Sequence, residues 1–525
     1  MAFGQALLMH PTSHSRPPSV PVVLASVATF AIEGIESHEV VVEADVRRGL
    51  PVFTVVGLPD AAVREARERV RAALLNSELE FPLQRLTANL APADLRKAGP
   101  SFDLALAAAV LAASGQVPRE ALASAALCGE LSLGGGLRPV RGALAMAFGA
   151  REGGFERLIV PVENAAEAAL VEGVEVLGVP DLARLVAMLR GQWRPEAPPP
   201  RPSSAEAPSE GDLSDVRGQA DAKRALELAA AGGHNLLMVG PPGAGKTMLA
   251  RRLPGLLPDP AFEEAVEITR VHSVAGLSDG ALARRRPFRA PHHTISTSGL
   301  VGGGATPRPG EVTLAHRGVL FLDELAEFSR AALEALRQPL ESRRVEVTRG
   351  QRAISFPAAA VLVGACNRCP CARPAAECSC TDVDRTRYAR RLSAPLLDRI
   401  DLVCELEAAG PLELVSAEGR GETTASVRGR VIAARERQRS RLAGTGAFTN
   451  AEMPPRVTRR HAPVEGRARA RMLEGHAHGI LSGRGHDRVL RLARTLADLD
   501  GRDRIDAADV EEALGFRLGA QAVAA

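Results

Sequence analysis

Eight consecutive residues, Gly240, Pro241, Pro242, Gly243, Ala244, Gly245, Lys246 and Thr247, satisfy the GxxxxGK[ST] spacing of a phosphate-binding loop. Glycines let the chain wrap closely enough for successive backbone N–H groups to face phosphate oxygens, at a helix N-terminus already biased toward anions. Lys246 is placed to reach the β- and γ-phosphates of ATP, and the Thr247 hydroxyl to hold Mg²⁺. A second group follows the apolar run Val319 to Leu322, where Asp323 and Glu324 stand side by side. Asp323 suits a Mg²⁺ ligand acting through water, and Glu324 a general base on the attacking water. A third apolar run, Ala360 to Cys366, ends in Asn367, a polar residue suited to sensing the γ-phosphate. Arg399, in Ser393-Ala-Pro-Leu-Leu-Asp-Arg-Ile-Asp401, reads as an arginine finger for a neighbouring subunit's γ-phosphate. That role requires a ring.

These residues need particular elements around them. Asn235 to Val239 reads as a buried strand entering the loop, and Met248 to Leu253 continues as helix, the context the motif demands. Gly318 to Leu322 and Ala360 to Cys366 read as further buried parallel strands. Beyond about Thr424 the pattern is helical, over Val427 to Arg441, Ala462 to Gly475, Asp487 to Asp498 and Ala507 to Leu514. Ser482 to Arg488 opens the third of these with basic side chains. A helical lid over the nucleotide, with Arg484 or in second place Arg488 touching phosphate, completes an AAA+ module.

The first part of the chain has a different character. Val40 to Val46 and Phe53 to Val56 read as strands, Ala61 to Asn76 as helix and Phe102 to Ala113 as a buried helix. Strands at Arg157 to Pro161 and Val174 to Leu177 precede a closing helix through Leu189. Two pieces, Gly99-Pro-Ser-Phe-Asp103 and Gly134-Gly-Gly-Leu-Arg-Pro-Val140, resemble the protease domain of Lon. Ser101 falls where the Lon nucleophile sits, but its base position holds Arg138. A guanidinium cannot lose its proton at neutral pH and so cannot activate a serine. A Lon-like fold kept as a structural or interaction module is preferred to a working protease.

Length and composition bound the rest. With 525 residues the chain is too long for one core. It divides into a disordered leader (1–21), a Lon-protease-like α+β domain (22–190), a Pro/Ser/Ala-rich linker (191–210), an AAA+ P-loop αβα sandwich with an insertion (211–410) and a helical lid (411–525). The expected class is therefore α/β multidomain. No apolar run approaches the ~18 residues that span a bilayer, and no basic-then-apolar leader marks secretion, so a cytoplasmic protein without a membrane partner is expected. The seven cysteines gather largely in one segment, which fits a reducing compartment. Within it Cys369, Cys371, Cys378 and Cys380 form a Cys-x-Cys…Cys-x-Cys pattern. Four thiolates this close could hold a structural Zn²⁺; reduced loop cysteines are the alternative. The net charge of +3 does not by itself argue for nucleic acid, but Arg385 to Arg399 and Arg428 to Arg441 are dense in arginine. With one Trp and one Tyr, base stacking is a poor mode, so any nucleic acid is expected to be held through its phosphates.

The set resembles the magnesium-chelatase-like AAA+ ATPases of the YifB/ComM type from about Val23 to Gly515. Its carriers are Gly57-Leu-Pro-Asp-Ala-Ala-Val63, Asn89-Leu-Ala-Pro-Ala-Asp94, Arg286-Pro-Phe-Arg-Ala-Pro-His-His-Thr294, Val301-Gly-Gly-Gly304, Pro307-Arg-Pro-Gly310 and Pro395-Leu-Leu-Asp-Arg399. The family's proline after the sensor asparagine is absent, Asn367 being followed by Arg-Cys-Pro-Cys-Ala. The resemblance implies a homo-hexameric ring and, for the ComM members, a DNA helicase driving branch migration on branched or duplex DNA during integration of transforming DNA. It also implies that the stretch between Thr247 and Asp323 carries an insertion facing the ring's channel, with Arg286, Arg289, His292, His293 and Arg308 as candidate DNA contacts. The alternative class is a chelatase-like or protein-remodelling motor. A chelatase partner would carry Asp-x-Ser-x-Ser, a string this chain lacks. An ATP-dependent protease ranks third.

Overall fold

The apolar run ahead of the phosphate loop forms the strand Leu236–Val239, with all four residues buried. It lies inside a five-stranded parallel sheet whose order is Phe288–Arg289, Val319–Leu322, Val361–Cys366, Leu236–Val239, Leu402–Glu405. Apolar strands with no alternation are what a sheet covered on both faces requires. The computed structural model describes residues 23–197, 211–304, 307–349, 352–373, 377–407, 421–478 and 481–524. The leader 1–21 and much of the linker, 198–210, lie outside these residues.

The strand order decides the site. Val361–Cys366 lies between the strand entering the loop and the strand ending in the acidic pair. Val239 pairs with Cys366, and Leu322 with Gly364. Three chain segments distant in sequence therefore leave the same edge of the sheet together, the crevice in which open parallel sheets bind ligands.

The N-terminal part is a seven-stranded mixed sheet in the order Val52–Val56, Arg85–Ala91, Glu36–Arg47, Val23–Glu33, Ala125–Leu127, Arg157–Pro161, Glu175–Val179. Against it packs Asp103–Ala113, a helix apolar around its whole circumference and buried at every residue. The helix Ala61–Asn76 has its N-cap at Asp60, whose carboxylate accepts from Val63 N at 2.8 Å. This unit touches the core through the helix Phe262–Ala275. Gly142 N donates to Ser273 O at 3.1 Å, and Arg270 Nη2 meets Glu36 at 3.1 Å.

Between the phosphate loop and the acidic pair, Phe262–Ala275 leads to the short strand Phe288–Arg289, the helix Thr297–Val301 and a small ribbon of Gly302–Gly303 on Arg308–Pro309. An antiparallel hairpin, Arg344–Arg349 on Arg352–Pro357, was not read from the sequence. The C-terminal helices are Thr424–Leu442, Pro455–His461, Gly466–Ala477, Gly483–Leu499 and Ala507–Ala524. The helix expected over Ala462 to Gly475 is thus corrected: Pro463 has no N–H for a helical interior, so one helix ends before it and the next begins at Gly466.

These helices join the core through polar contacts as well as apolar ones. His234 Nε2 meets Thr495 Oγ1 at 2.8 Å, and Gln438 Nε2 donates to Ala231 O at 2.9 Å. Buried Arg494 bonds Asp498 at 3.1 Å, and Asp498 also receives Arg441 and Asn450. Buried charges persist where each has a partner. Among the described residues no helix is long and apolar enough to cross a membrane.

Candidate nucleotide site

At the edge of the central sheet the chain turns at Gly240, where a Cβ would stand 2.6 Å from the Leu406 carbonyl oxygen, so only glycine fits. Gly245 opens the helix Lys246–Leu256 with φ 89°, the left-handed region that glycine enters without strain. The loop thereby presents backbone donors at the N-terminus of an eleven-residue helix. Lys246 turns back into the loop. Its Nζ donates to Gly240 O at 2.7 Å, Pro241 O at 2.9 Å and Asn367 Oδ1 at 3.1 Å. Burial holds this ammonium's pKa below the ordinary lysine value, against the opposing pull of Cys366 and Asp323. Burial also pushes the neighbouring Cys366 thiol up to about 12.

Thr247 Oγ1 donates to Asp323 Oδ2 at 2.7 Å, which brings together two hard oxygens, one from the first turn of the helix after the loop and one just past the strand Val319–Leu322. This donor set fits an octahedral Mg²⁺ that keeps several waters and shares the rest of its shell with phosphate. Glu324 follows with φ 50°, a left-handed conformation uncommon for a non-glycine residue, and its N–H donates to Asp323 Oδ1 at 2.9 Å. Its carboxylate faces His293 Nδ1 at 3.3 Å.

The sheet register explains that partner. Arg289 pairs with Leu320, and four residues further along both chains His293 stands against Glu324. His293 in turn stacks on His292 with ring centroids 4.1 Å apart and meets the Phe328 edge at 6.5 Å. The adjacent histidines are a wall of the acidic site. Tyr388, on the helix Asp382–Ala389 that follows Asn367, is buried, and burial pushes its phenol up.

Several residues expected to face DNA are engaged inside the fold instead. Arg286 makes a bidentate pair with Glu264 at 2.6 and 2.9 Å, and Arg289 one with Glu311 at 2.6 and 2.7 Å. Of the five insertion candidates, Arg308 remains as an exposed cation. The arginines of Thr424–Leu442 are likewise largely spoken for. Arg428 meets Asp259, Arg430 meets Glu227 and Glu422, Arg435 donates to Ala230 O, and Arg441 clamps Asp498. An arginine run in sequence is here an internal lattice of pairs.

Arg399 is 8% exposed, donating to Pro395 O at 2.7 Å and to the Glu341 carboxylate. Arg488 lies close by, 3.6 Å from Asp401, which accepts from Asn235 N at 3.1 Å. Asn235 immediately precedes the central strand, whose far end carries the phosphate loop about 16 Å away at 3.3 Å per residue. Arg399 and Arg488 thus stand at the opposite end of the sheet from their own phosphate loop. Arg484 falls in the first turn of Gly483–Leu499, and its side chain lies outside the described residues.

In the N-terminal unit Ser101 sits in the short turn Pro100–Phe102, its carbonyl accepting from Gly129 N at 2.9 Å. Arg138 is exposed and meets Glu130 at 3.5 Å. The charged pair near Ser101 is the buried Asp103 with Arg69, at 2.7 and 2.9 Å. Burial raises the Asp103 pKa above its ordinary value, although Arg69 pulls it down.

Family models match the chain in three blocks: "Magnesium chelatase, subunit ChlI" over residues 212–414, "Subunit ChlI of Mg-chelatase" over 42–164, and "Magnesium chelatase, subunit ChlI C-terminal" over 421–517. The uncharacterized protein YifB of Escherichia coli is 44% identical over 497 residues, covering 94% of this chain and 97% of the relative. Competence protein ComM of Haemophilus influenzae is 42% identical over 510 residues, with the same coverage. The chain belongs to the magnesium-chelatase-like YifB/ComM family. A partial likeness reaches outside that family, to the Holliday junction branch migration complex subunit RuvB of a Synechococcus strain. It is 30% identical over 257 residues, 46% of this chain and 58% of the relative. For a YifB/ComM chain the phosphate loop, the acidic pair and Asn367 all fall within the 212–414 block.

Proposed function

We propose that this chain is an ATP-hydrolysing, ring-forming DNA motor, a branch-migration helicase acting in recombination and natural transformation. The observation that carries the ATPase part is the meeting of Lys246, Thr247, Asp323, Glu324 and Asn367 at one sheet edge. Membership of the magnesium-chelatase-like AAA+ family implies the same activity. The likenesses to ComM and RuvB support DNA as the partner.

In this reading Lys246 exchanges its neutral acceptors for the β- and γ-phosphate oxygens, and Thr247 and Asp323 hold Mg²⁺. The bound ion neutralises charge on the phosphate oxygens. Glu324 takes the proton of the attacking water, oriented from behind by His293. Asn367, next to Lys246, reports the γ-phosphate to the strand it terminates. Arg399 and Arg488, remote from their own loop, serve the nucleotide of a neighbouring chain, so the proposed hexamer is part of the active site. Arg484 is retained as a further phosphate contact, and the Lon-like unit as a platform without peptidase activity.

ATPase rate with and without branched, duplex and single-stranded DNA, at low and moderate salt, tests this. Stimulation that fades as salt rises is expected for phosphate-held DNA. An assembled, hydrolysing preparation that no DNA stimulates would overturn the DNA reading in favour of a chelatase-like or protein-remodelling motor.

A further inference from the structure

Between Asn367 and Thr381 the chain contains no Val, Leu, Ile, Met, Phe, Tyr or Trp. A connection of this length without an apolar anchor needs another way to be ordered. Its four cysteines converge. Cys369 Sγ lies 3.3 Å from Cys371 Sγ and 3.6 Å from Cys378 Sγ, with Cys371 Sγ also 3.6 Å from Cys378 Sγ. Including Cys380, all four sulfurs fall within 4.8 Å of one another.

Disulfides would bring sulfurs to about 2.05 Å, so these separations are not bridges. Four thiolates around one Zn²⁺ at about 2.3 Å sit on a tetrahedron with edges of roughly 3.8 Å. The observed cage is that size. A cluster of several irons, with sulfide between them, holds its thiolates further apart. Arg385 Nη2 points at Cys378 Sγ from 3.6 Å, a cation placed to offset the negative charge of a metal with four thiolates.

We propose that Cys369, Cys371, Cys378 and Cys380 form a mononuclear tetrathiolate zinc site that staples the loop between Asn367 and the Asp382–Ala389 helix. The staple lies between two parts of the nucleotide machinery. On one side Asn367 contacts Lys246; on the other, the helix carries the buried Tyr388. The metal is structural, since four protein ligands leave no open position. Its effect on the site passes through the placement of Asn367, and the cage itself stands independently of the DNA reading.

The test is metal analysis of the untagged full-length chain, purified without chelator. About one zinc per chain is expected, released in step with modification of four thiols by a mercurial. Replacement by Co²⁺ should give the intense visible bands of a tetrahedral sulfur site. The double variant Cys378→Ser, Cys380→Ser should lose the metal and melt at lower temperature. If that variant does not fold, the wild-type stoichiometry and cobalt spectrum still decide. Absence of metal together with failure to take up added Zn²⁺ would overturn the site. So would iron as the sole metal, a mass four hydrogen atoms lighter from two disulfides, or zinc retained by the folded double variant.

Discussion

Rings assembled from an equal mixture of Lys246→Ala and Arg399→Ala chains should hydrolyse ATP, although neither variant does so alone. An arginine finger contributes about 10³–10⁵ in rate, which is about 4–7 kcal/mol at roughly 1.4 kcal/mol per tenfold. The structure bounds the competing structural cost. Arg399→Ala removes the bond to Pro395 O and the pair with Glu341, whose side chain is 57% exposed and rehydrates freely. Losing a pair with so exposed a partner costs about 1 kcal/mol or less, far below the catalytic loss, so the variant should fold, assemble and bind ATP. In a head-to-tail ring of randomly assorted chains, about a quarter of interfaces join an intact Lys246 to a neighbour's intact Arg399. The mixture should therefore recover about a quarter of the wild-type rate, peaking near equal proportions. A coupled ATPase assay across mixing ratios reads this directly. No recovery at any ratio, with both variants shown to co-assemble, would refute a finger acting between chains.

Glu324→Gln should leave ATP binding intact and stop turnover, whereas Lys246→Ala should weaken binding itself; titration with a fluorescent ATP analogue separates the two. The pH dependence of stability should be marked on the acid side. Burial raises the Glu267 pKa, but hydrogen bonds from His316 and Arg317 and the Arg317 charge outweigh it and bring the group down to about 2. Burial also lowers His316. Both groups bind protons more weakly when folded, so both contribute stability that is lost on acidification, His316 below about 6.5 and Glu267 from about 4.5 toward 2. Glu267→Gln should cost about 1–2 kcal/mol at neutral pH, discounted because the side chain is 40% exposed. Its melting temperature should converge on wild type as pH falls; a constant gap would contradict the assignment. Ser101→Ala should leave ATPase and any DNA activity unchanged, and a peptidase activity lost on that substitution would restore the protease reading.

The parts of the site most legible in sequence are those where local chemistry and local structure coincide. Gly240 to Thr247 needs only a strand before it and a helix after it, and both were visible as an apolar run and a helical continuation. The helix Ala61–Asn76 and the strand Arg157–Pro161 were equally plain, since their periodicity ends at capping or turn residues. Contacts set by register were hidden. His293 reaches Glu324 only because Phe288–Arg289 runs parallel beside Val319–Leu322, and that strand is two residues long. Arg286 and Arg289 looked like free cations because their partners Glu264 and Glu311 are 22 residues away in either direction. Composition counts charges but does not pair them. The hairpin Arg344–Arg349 on Arg352–Pro357 is made of two six-residue strands that carry no phosphate-binding or catalytic motif to mark them.

The self-contained bonding of Lys246 has a consequence for selectivity. Its ammonium already has three oxygen partners, so the arrival of nucleotide is an exchange of neutral acceptors for charged ones and not the filling of an empty valence. The number of hydrogen bonds barely changes; what changes is the charge facing the ammonium, from amide and carbonyl dipoles to full negative charges that add Coulomb attraction. Discrimination should then fall on the γ-phosphate's ionisation more than on base or sugar. Calorimetry with ATP, ADP and a γ-ester of ATP should rank them by terminal charge, while adenosine, with the same base and sugar, should give no heat. The loop works as a gauge of charge, already set to the right form before its ligand comes.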